Sequence, residues 1–519
     1  MIIRNRIILA SIILLSFFFY SWKLNSNPAG FFCDEASVGI DAMSILKSGR
    51  DRHGELFPIF FQGFNFDNVS PFQVYLTVPF VGLFGLNEMA VRLAPVFWSV
   101  VEIIIFYMLL RSIIPNKFAL IGTVFFLINP WHFHIGRINM GDFYSWSLLI
   151  LVSLFFLKKA TQSRKYLFFV LFSFFLGLAT YSYTPARLIT PILFILTFFT
   201  FIFQRINKKI ILFTLISYLI VIIPFIFFHI SNSHSFQRIK DTIGVDVKAK
   251  SFSISQIKLS NNFINKYLSH YSDAFLYKYG DTDYPGQFIK RHSISGMGLF
   301  YPYQKWLILL GFFWLIYKIF KTKDITFILI LFLLLLFPLS DSLTSELTPY
   351  ATRSYLGVLP FNILNAFGIY TIFLLVKRVP ILNTKQTFVI FNIILIIFIL
   401  FSTITLINHF QKNPKTTSDY WGWQYGPREI INYFKTQTKN YDELYMTGYF
   451  NGTEIFLKFY DPENKCKNCF IGGINQLDKN KKQLFAFRVE ELIDFKLKGE
   501  IKKIIYYPNK EKAFYIIQP

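Results

Sequence analysis

Residues 71–86 read Pro71-Phe72-Gln73-Val74-Tyr75-Leu76-Thr77-Val78-Pro79-Phe80-Val81-Gly82-Leu83-Phe84-Gly85-Leu86. Whether they cross a membrane decides the topology of everything that follows. The stretch is apolar, but about 15 residues broken by Pro79, Gly82 and Gly85 fall short of the ~20 that a helix needs to cross a hydrocarbon layer ~30 Å thick. If it crossed, every later cationic cluster would lie outside the cell. If it lies along the interface, all of them lie inside, as lysines and arginines near span ends prefer. The second reading is adopted.

Outward from that segment, the chain is built for a membrane. Of its 519 residues 53% are hydrophobic and 16% charged, against about 25% charged in soluble domains, which excludes a single soluble domain. Apolar blocks of about 15 to 25 residues define an all-α polytopic membrane bundle of about 11 spans. The first, Ile7 to Leu24, follows Arg4 and Arg6 and exceeds the ~7 to 15 apolar residues of a signal peptide core, so it reads as an uncleaved span. Span 2 runs from Arg92 to Arg111 and span 3 from Phe118 to about His134. Clusters at Lys158, Lys159, Arg164 and Lys165, at Arg205, Lys208 and Lys209, at Lys318, Lys321 and Lys323, and at Lys377, Arg378 and Lys385 mark the cytoplasmic side. The N-terminus is then inside and the C-terminus outside. Many of the lysines and arginines behind the net charge of +23 lie in short clusters between apolar blocks, and with no basic stripe bearing exposed aromatics, nucleic acid is not an expected partner.

Three external segments can hold structure: residues 25–91, residues 231–303 and the tail from about His409. The division is thus a membrane module, 1–408, and an extracytoplasmic α/β domain, 409–519. In the tail, Pro427 to Lys435 reads as a helix start, and Leu444 to Met446 and Lys503 to Tyr507 as short strands. Cys466 and Cys469 form a lone CxxC there, which suits a small disulfide loop better than zinc, since the companion pair is missing.

The candidate site residues are charges on the external face. Asp34 and Glu35, in Phe31-Phe32-Cys33-Asp34-Glu35-Ala36, follow span 1 closely, where partial desolvation suits a carboxylate to take a proton from an acceptor hydroxyl. They read equally as solvated loop. Asp142 follows span 3 on the same side and either joins them or caps the next helix. Arg92, Arg137, Arg187 and Arg353 stand at external span ends against the charge trend, and guanidinium grips phosphate with two parallel hydrogen bonds; snorkelling to the interface is the other reading. His132 and His134 form a His-x-His without a third ligand, so metal binding is weakly indicated. Glu102, near the middle of span 2, is expected to be protonated or paired. Walker, dinucleotide and serine-hydrolase motifs are absent from the sequence, against nucleotide-driven pumping and serine hydrolysis.

The acidic pair after span 1, then Arg52-His53-Gly54-Glu55-Leu56-Phe57-Pro58, then Pro71 to Leu76, then Leu83-Phe84-Gly85-Leu86-Asn87-Glu88-Met89-Ala90-Val91-Arg92, resemble the bacterial branch of the protein O-mannosyltransferase family, close to the aminoarabinose transferases of lipid A. These are membrane-embedded glycosyltransferases of the C superfamily. The resemblance covers the first 190 residues well and the rest more loosely. It implies an acidic residue beside the acceptor hydroxyl, matched by Asp34 with Glu35, a second external acid matched by Asp142, and an active-site arginine matched by Arg92. It also implies a variable external domain, with a junction like Trp421-Gly422-Trp423-Gln424-Tyr425-Gly426-Pro427-Arg428-Glu429. Residues 231–303 are too short for the β-trefoil insertion of the eukaryotic relatives, so a protein acceptor is not implied.

The expected partners are a polyprenyl-phosphate sugar donor, an envelope acceptor and membrane lipid. Asp34 is the expected base, with Glu35 and Asp142 orienting and Arg92, Arg137 or Arg353 on the donor phosphate. No cofactor is implied with certainty, and a divalent metal stays open. The alternatives are a glycan polymerase or ligase acting on lipid-linked sugars, and a transporter without chemistry.

Overall fold

The computed structural model describes residues 2–64, 67–232, 262–378, 384–495 and 499–519. Part of the 231–303 loop therefore lies outside the described residues. Helix α1, Ile2–Ser21, leads into a loop and then α2, Cys33–Ser48. Asp34 and Glu35 occupy the first turn of α2, where acids suit the positive helix end, and Glu35 accepts the Phe32 N–H at 3.3 Å. Gly49 closes the helix at φ +67°, a left-handed cap that favours glycine.

The deciding segment folds as two short helices, α3 (Pro71–Tyr75) and α4 (Val78–Phe84), each far shorter than a span. Ser70 caps α3 by accepting the Phe72 N–H at 3.2 Å. Next comes α5, Glu88–Arg111, whose 24 residues reach about 36 Å at ~1.5 Å per residue. Seven helices among the described residues are long and apolar enough to cross a membrane. The sequence reading of about 11 spans also counts α1, the shorter apolar helices Asn116–Leu127 and Tyr166–Ala179, and Gln304–Thr322, which carries Lys305, Lys318 and Lys321.

A helix of 34 residues, Thr384–Thr417, delivers the chain to the tail. There a helix, Pro427–Gln437, accompanies a five-stranded sheet in the order 469–471, 443–446, 483–488, 512–518, 500–506. The first three strands are parallel and the last two antiparallel to their neighbours. Cys466 and Cys469 are joined as a disulfide.

The tail is docked on the first loop by polar as well as apolar contacts. Glu88, at the start of α5, accepts from Arg428 at 2.8 Å and from the Tyr460 hydroxyl at 2.5 Å. Phe31 meets Phe459 with ring centroids 4.8 Å apart. Gly39 lets α2 fit between α5 and the tail, because a Cβ there would stand 2.8 Å from both Phe459 and Val91. A side chain at position 39 would force the Phe459 ring and the Val91 methyl to shift.

Candidate active site

A cavity of about 360 Å³ opens beside the first turn of α2. Asp34, Asp67, Ser70, Asp142, Arg291 and Asn451 are among its lining residues. The first loop, the turn before the helix Phe143–Ser163, the loop preceding Gln304–Thr322 and the tail each contribute to one wall. Asp34 and Asp142, separated by more than a hundred residues of sequence, thus reach the same space.

Asp34 accepts a weak bond from the Cys33 thiol, sulfur to Oδ1 at 3.6 Å. Asp142 occupies the N-cap position of Phe143–Ser163, and its Oδ2 accepts from the Ser70 hydroxyl while Oδ1 has no hydrogen-bond partner. Burial lifts the Asp142 carboxyl from its ordinary 3.8 to about 6, against the pull of the Ser70 hydroxyl. The fold therefore holds this proton more tightly than the unfolded chain does. Stability falls as pH rises from about 4 to about 6 and is level above. Asp142→Asn lacks that fall, so its melting temperature is expected to gain on that of wild type across this window and to run parallel at higher pH. Parallel curves throughout would mean that Asp142 titrates as an ordinary exposed acid.

Glu35 and the arginines named from the sequence are placed differently. Glu35 is fully buried and forms a two-bond pair with Arg92, Nε to Oε1 at 3.0 Å and Nη2 to Oε2 at 2.7 Å. The remaining Arg92 donors go to the carbonyls of Leu24, Pro28 and Gly30, at 3.2, 3.1 and 2.6 Å. Arg137 donates to the carbonyls of Tyr20, Trp22 and Asn27. Arg353 pairs with Asp341 at 3.6 Å and with Glu346. Arg187 donates to the Asn68 carbonyl at 3.0 Å. Arg92, Arg137, Arg187 and Arg353 are not among the residues lining the cavity.

Arg291 is the cavity arginine, and it was not singled out in the sequence. Its guanidinium lies 3.9 Å from the Phe32 ring centroid and donates to the Gly422 carbonyl at 3.1 Å, with Nε unpartnered. Burial makes the charge easier to lose, while the nearby Asp34 carboxylate opposes that loss. Its only local signal is the cationic run Lys290-Arg291-His292 inside an external segment. Asn139 was also missed. It is fully buried, gives its backbone N–H to Glu35 at 3.0 Å and its side chain to Thr77 and the Val91 carbonyl at 2.9 and 3.0 Å. It ties Glu35 of α2 to α5.

The two histidines of His-x-His have separate partners. His132 Nδ1 bonds with the Tyr20 hydroxyl at 2.6 Å and its Nε2 faces Glu102 at 3.3 Å, which gives Glu102 its partner inside the bundle. His134 donates to the Arg291 carbonyl at 2.8 Å and so fixes the backbone of the cavity arginine. Among the described residues no cluster of three or more His, Cys, Asp or Glu side chains is arranged to hold a metal ion.

The fold and this wall define a polytopic membrane protein with a carboxylate-lined cavity beside the loop helix α2. Residues 68–228 match the model of the dolichyl-phosphate-mannose-protein mannosyltransferase family. The structure is similar to that of ArnT from Cupriavidus metallidurans bound to undecaprenyl phosphate, at 12% identity and TM-score 0.54, covering 98% of this chain and 97% of that one. It is also similar to the apo oligosaccharyltransferase of Archaeoglobus fulgidus, at 11% identity and TM-score 0.55, covering 90% of this chain and 65% of that one. No curated protein sequence matches the chain significantly. These likenesses agree with the resemblance read from the sequence.

Proposed function

We propose that the chain transfers a sugar, hexosyl or pentosyl, from a polyprenyl-phosphate carrier to a hydroxyl on an extracytoplasmic acceptor. The observation that carries this reading is the meeting of Asp34, Asp142 and Arg291 in one cavity, which offers a base, a second acid to orient the acceptor and a cation for a phosphate. ArnT, similar in fold, was solved with undecaprenyl phosphate bound, which supports the carrier class.

The step is one displacement. The Asp34 carboxylate takes the acceptor hydroxyl proton, the oxygen bonds to the anomeric carbon, and the bond from that carbon to the phosphate oxygen breaks with its electron pair leaving on polyprenyl phosphate. The anomeric centre inverts. Arg291 neutralises the charge that grows on the departing phosphate, preorganised electrostatics of the kind that contributes most to many enzymes. Glu35 and Arg92 act through position: they hold α2, and with it Asp34, against the loop after α1. With about eleven spans, the N-terminus in the cytoplasm and residues 409–519 outside a bacterial cytoplasmic membrane, the cavity would face the side where such carriers present their sugar.

The test is release of polyprenyl phosphate from a panel of radiolabelled undecaprenyl-phosphate sugars by the purified protein with total envelope extract as acceptor source. Movement of label into an acceptor is the expected result, and the labelled product identifies both partners. Intact donor with every extract would favour a transporter or a polymerase over this reading.

A further inference from the structure

The tail is a wall of the cavity as well as a neighbour of it. Asn451, in the connection between strand 443–446 and helix Glu454–Tyr460, lines the same space as Asp34 and is itself exposed. Its loop is held from several sides. Phe450 is buried and packs against Phe456 and Phe514, with ring centroids 6.1 and 5.5 Å away. The Thr453 hydroxyl donates to the carbonyls of Gly448 and Phe450 at 3.1 and 2.8 Å. Gly452, at φ +59°, lies against Phe64 of the first loop, which also lines the cavity, and a Cβ there would come within 2.7 Å of the ring.

Gln424 couples this loop to the proposed base. Its amide donates to the Asn451 carbonyl at 2.8 Å, and its Oε1 accepts the N–H of Cys33, the residue before Asp34, at 2.7 Å. Gln424 is 1% exposed, so the bridge is shielded from water and its bonds are costly to leave unmade. One side chain thus fixes the distance between the start of α2 and the loop that carries Asn451.

From this we infer that Asn451 is an acceptor-recognition residue contributed by the tail, and that the acceptor it reads is a neutral polyol such as a sugar unit; the inference rests on the transferase reading above. Among the described residues, three carboxylates, Asp34, Asp67 and Asp142, share the wall with one cation, Arg291, which disfavours an anionic acceptor. A carboxamide is neutral and both donates and accepts, so it pairs with two adjacent hydroxyls while Asp34 takes the proton of the reacting one. Because the donor phosphate is assigned to Arg291, Asn451 acts on acceptor use and leaves donor use alone.

The experiment compares wild type, Asn451→Ala and, as a control, Asn480→Ala, an exposed residue of the same domain that does not line the cavity, at graded amounts of total envelope extract and then at graded donor. Position 451 is exposed, so a melting temperature close to that of wild type is expected for Asn451→Ala. The half-saturating amount of extract is expected to rise about fivefold, the loss of roughly one hydrogen bond, with the half-saturating donor within about twofold of wild type and the control unchanged. An unchanged extract requirement, or an equal rise in donor requirement, overturns the role of Asn451. Failure of the wild type itself to transfer label overturns the transferase reading instead, so the two failures are told apart.

Discussion

Asp34→Asn is expected to lower sugar transfer about a thousandfold, within the ~10²–10⁴ range that a positioned proton acceptor supplies, while leaving the protein folded. The variant keeps the size and polarity of the side chain and removes its basicity. Asp34 is half-buried in the first turn of α2, and this turn is also held by the buried contacts of Glu35 with Arg92 and of Cys33 with Gln424, which the substitution leaves in place. A melting temperature near wild type is therefore expected beside the lost activity. The assay must run with donor and acceptor saturating, so that chemistry limits the rate. Wild-type turnover by Asp34→Asn under those conditions would remove Asp34 as the base, and Asp142, on the same wall, would be the next carboxylate to test.

The charge count places the loops of Asp34 and Asp142 on one membrane face before any coordinates, and the folded chain adds that both reach one cavity. The cation that joins them was not legible in the sequence. An arginine at a span start reads as a free positive charge, and only the folded chain reveals that Arg92 is consumed by Glu35 and three carbonyls. Those carbonyls belong to Leu24, Pro28 and Gly30, in a loop with no periodicity to read. Arg291 hid for a similar reason, in a segment without helical or alternating pattern. In the tail, Leu444 to Met446 and Lys503 to Tyr507 were found as strands, whereas Gln483–Arg488 was not. That strand is central, with five consecutive residues buried, and a strand covered on both faces loses the alternation that marks it. The role of Asn451 had no sequence signal, since it depends on the packing of Gly452 against Phe64.

Breaking the Arg92–Glu35 pair is expected to be felt in folding before donor use. Both side chains are fully buried, and removing one partner of a buried pair costs about 3–5 kcal/mol because the other charge is left uncompensated. The penalty is larger here than a pairwise view suggests, since Glu35 also accepts the Asn139 N–H and Arg92 also holds three loop carbonyls. Arg92→Lys keeps the charge but replaces a rigid five-donor fork by one ammonium, so it too is expected to lose stability. The measurements are the yield of folded protein in detergent, the melting temperature, and the half-saturating donor for whatever folds. For Arg92→Lys and Glu35→Gln alike the first two are expected to fall, with donor half-saturation in the surviving protein within about twofold of wild type. A well-folded Arg92→Lys needing about tenfold more donor would return Arg92 to the phosphate and take Arg291 from it. Lower stability with intact donor use would assign the pair its place as the clamp that holds the turn bearing Asp34 where the acceptor hydroxyl must arrive.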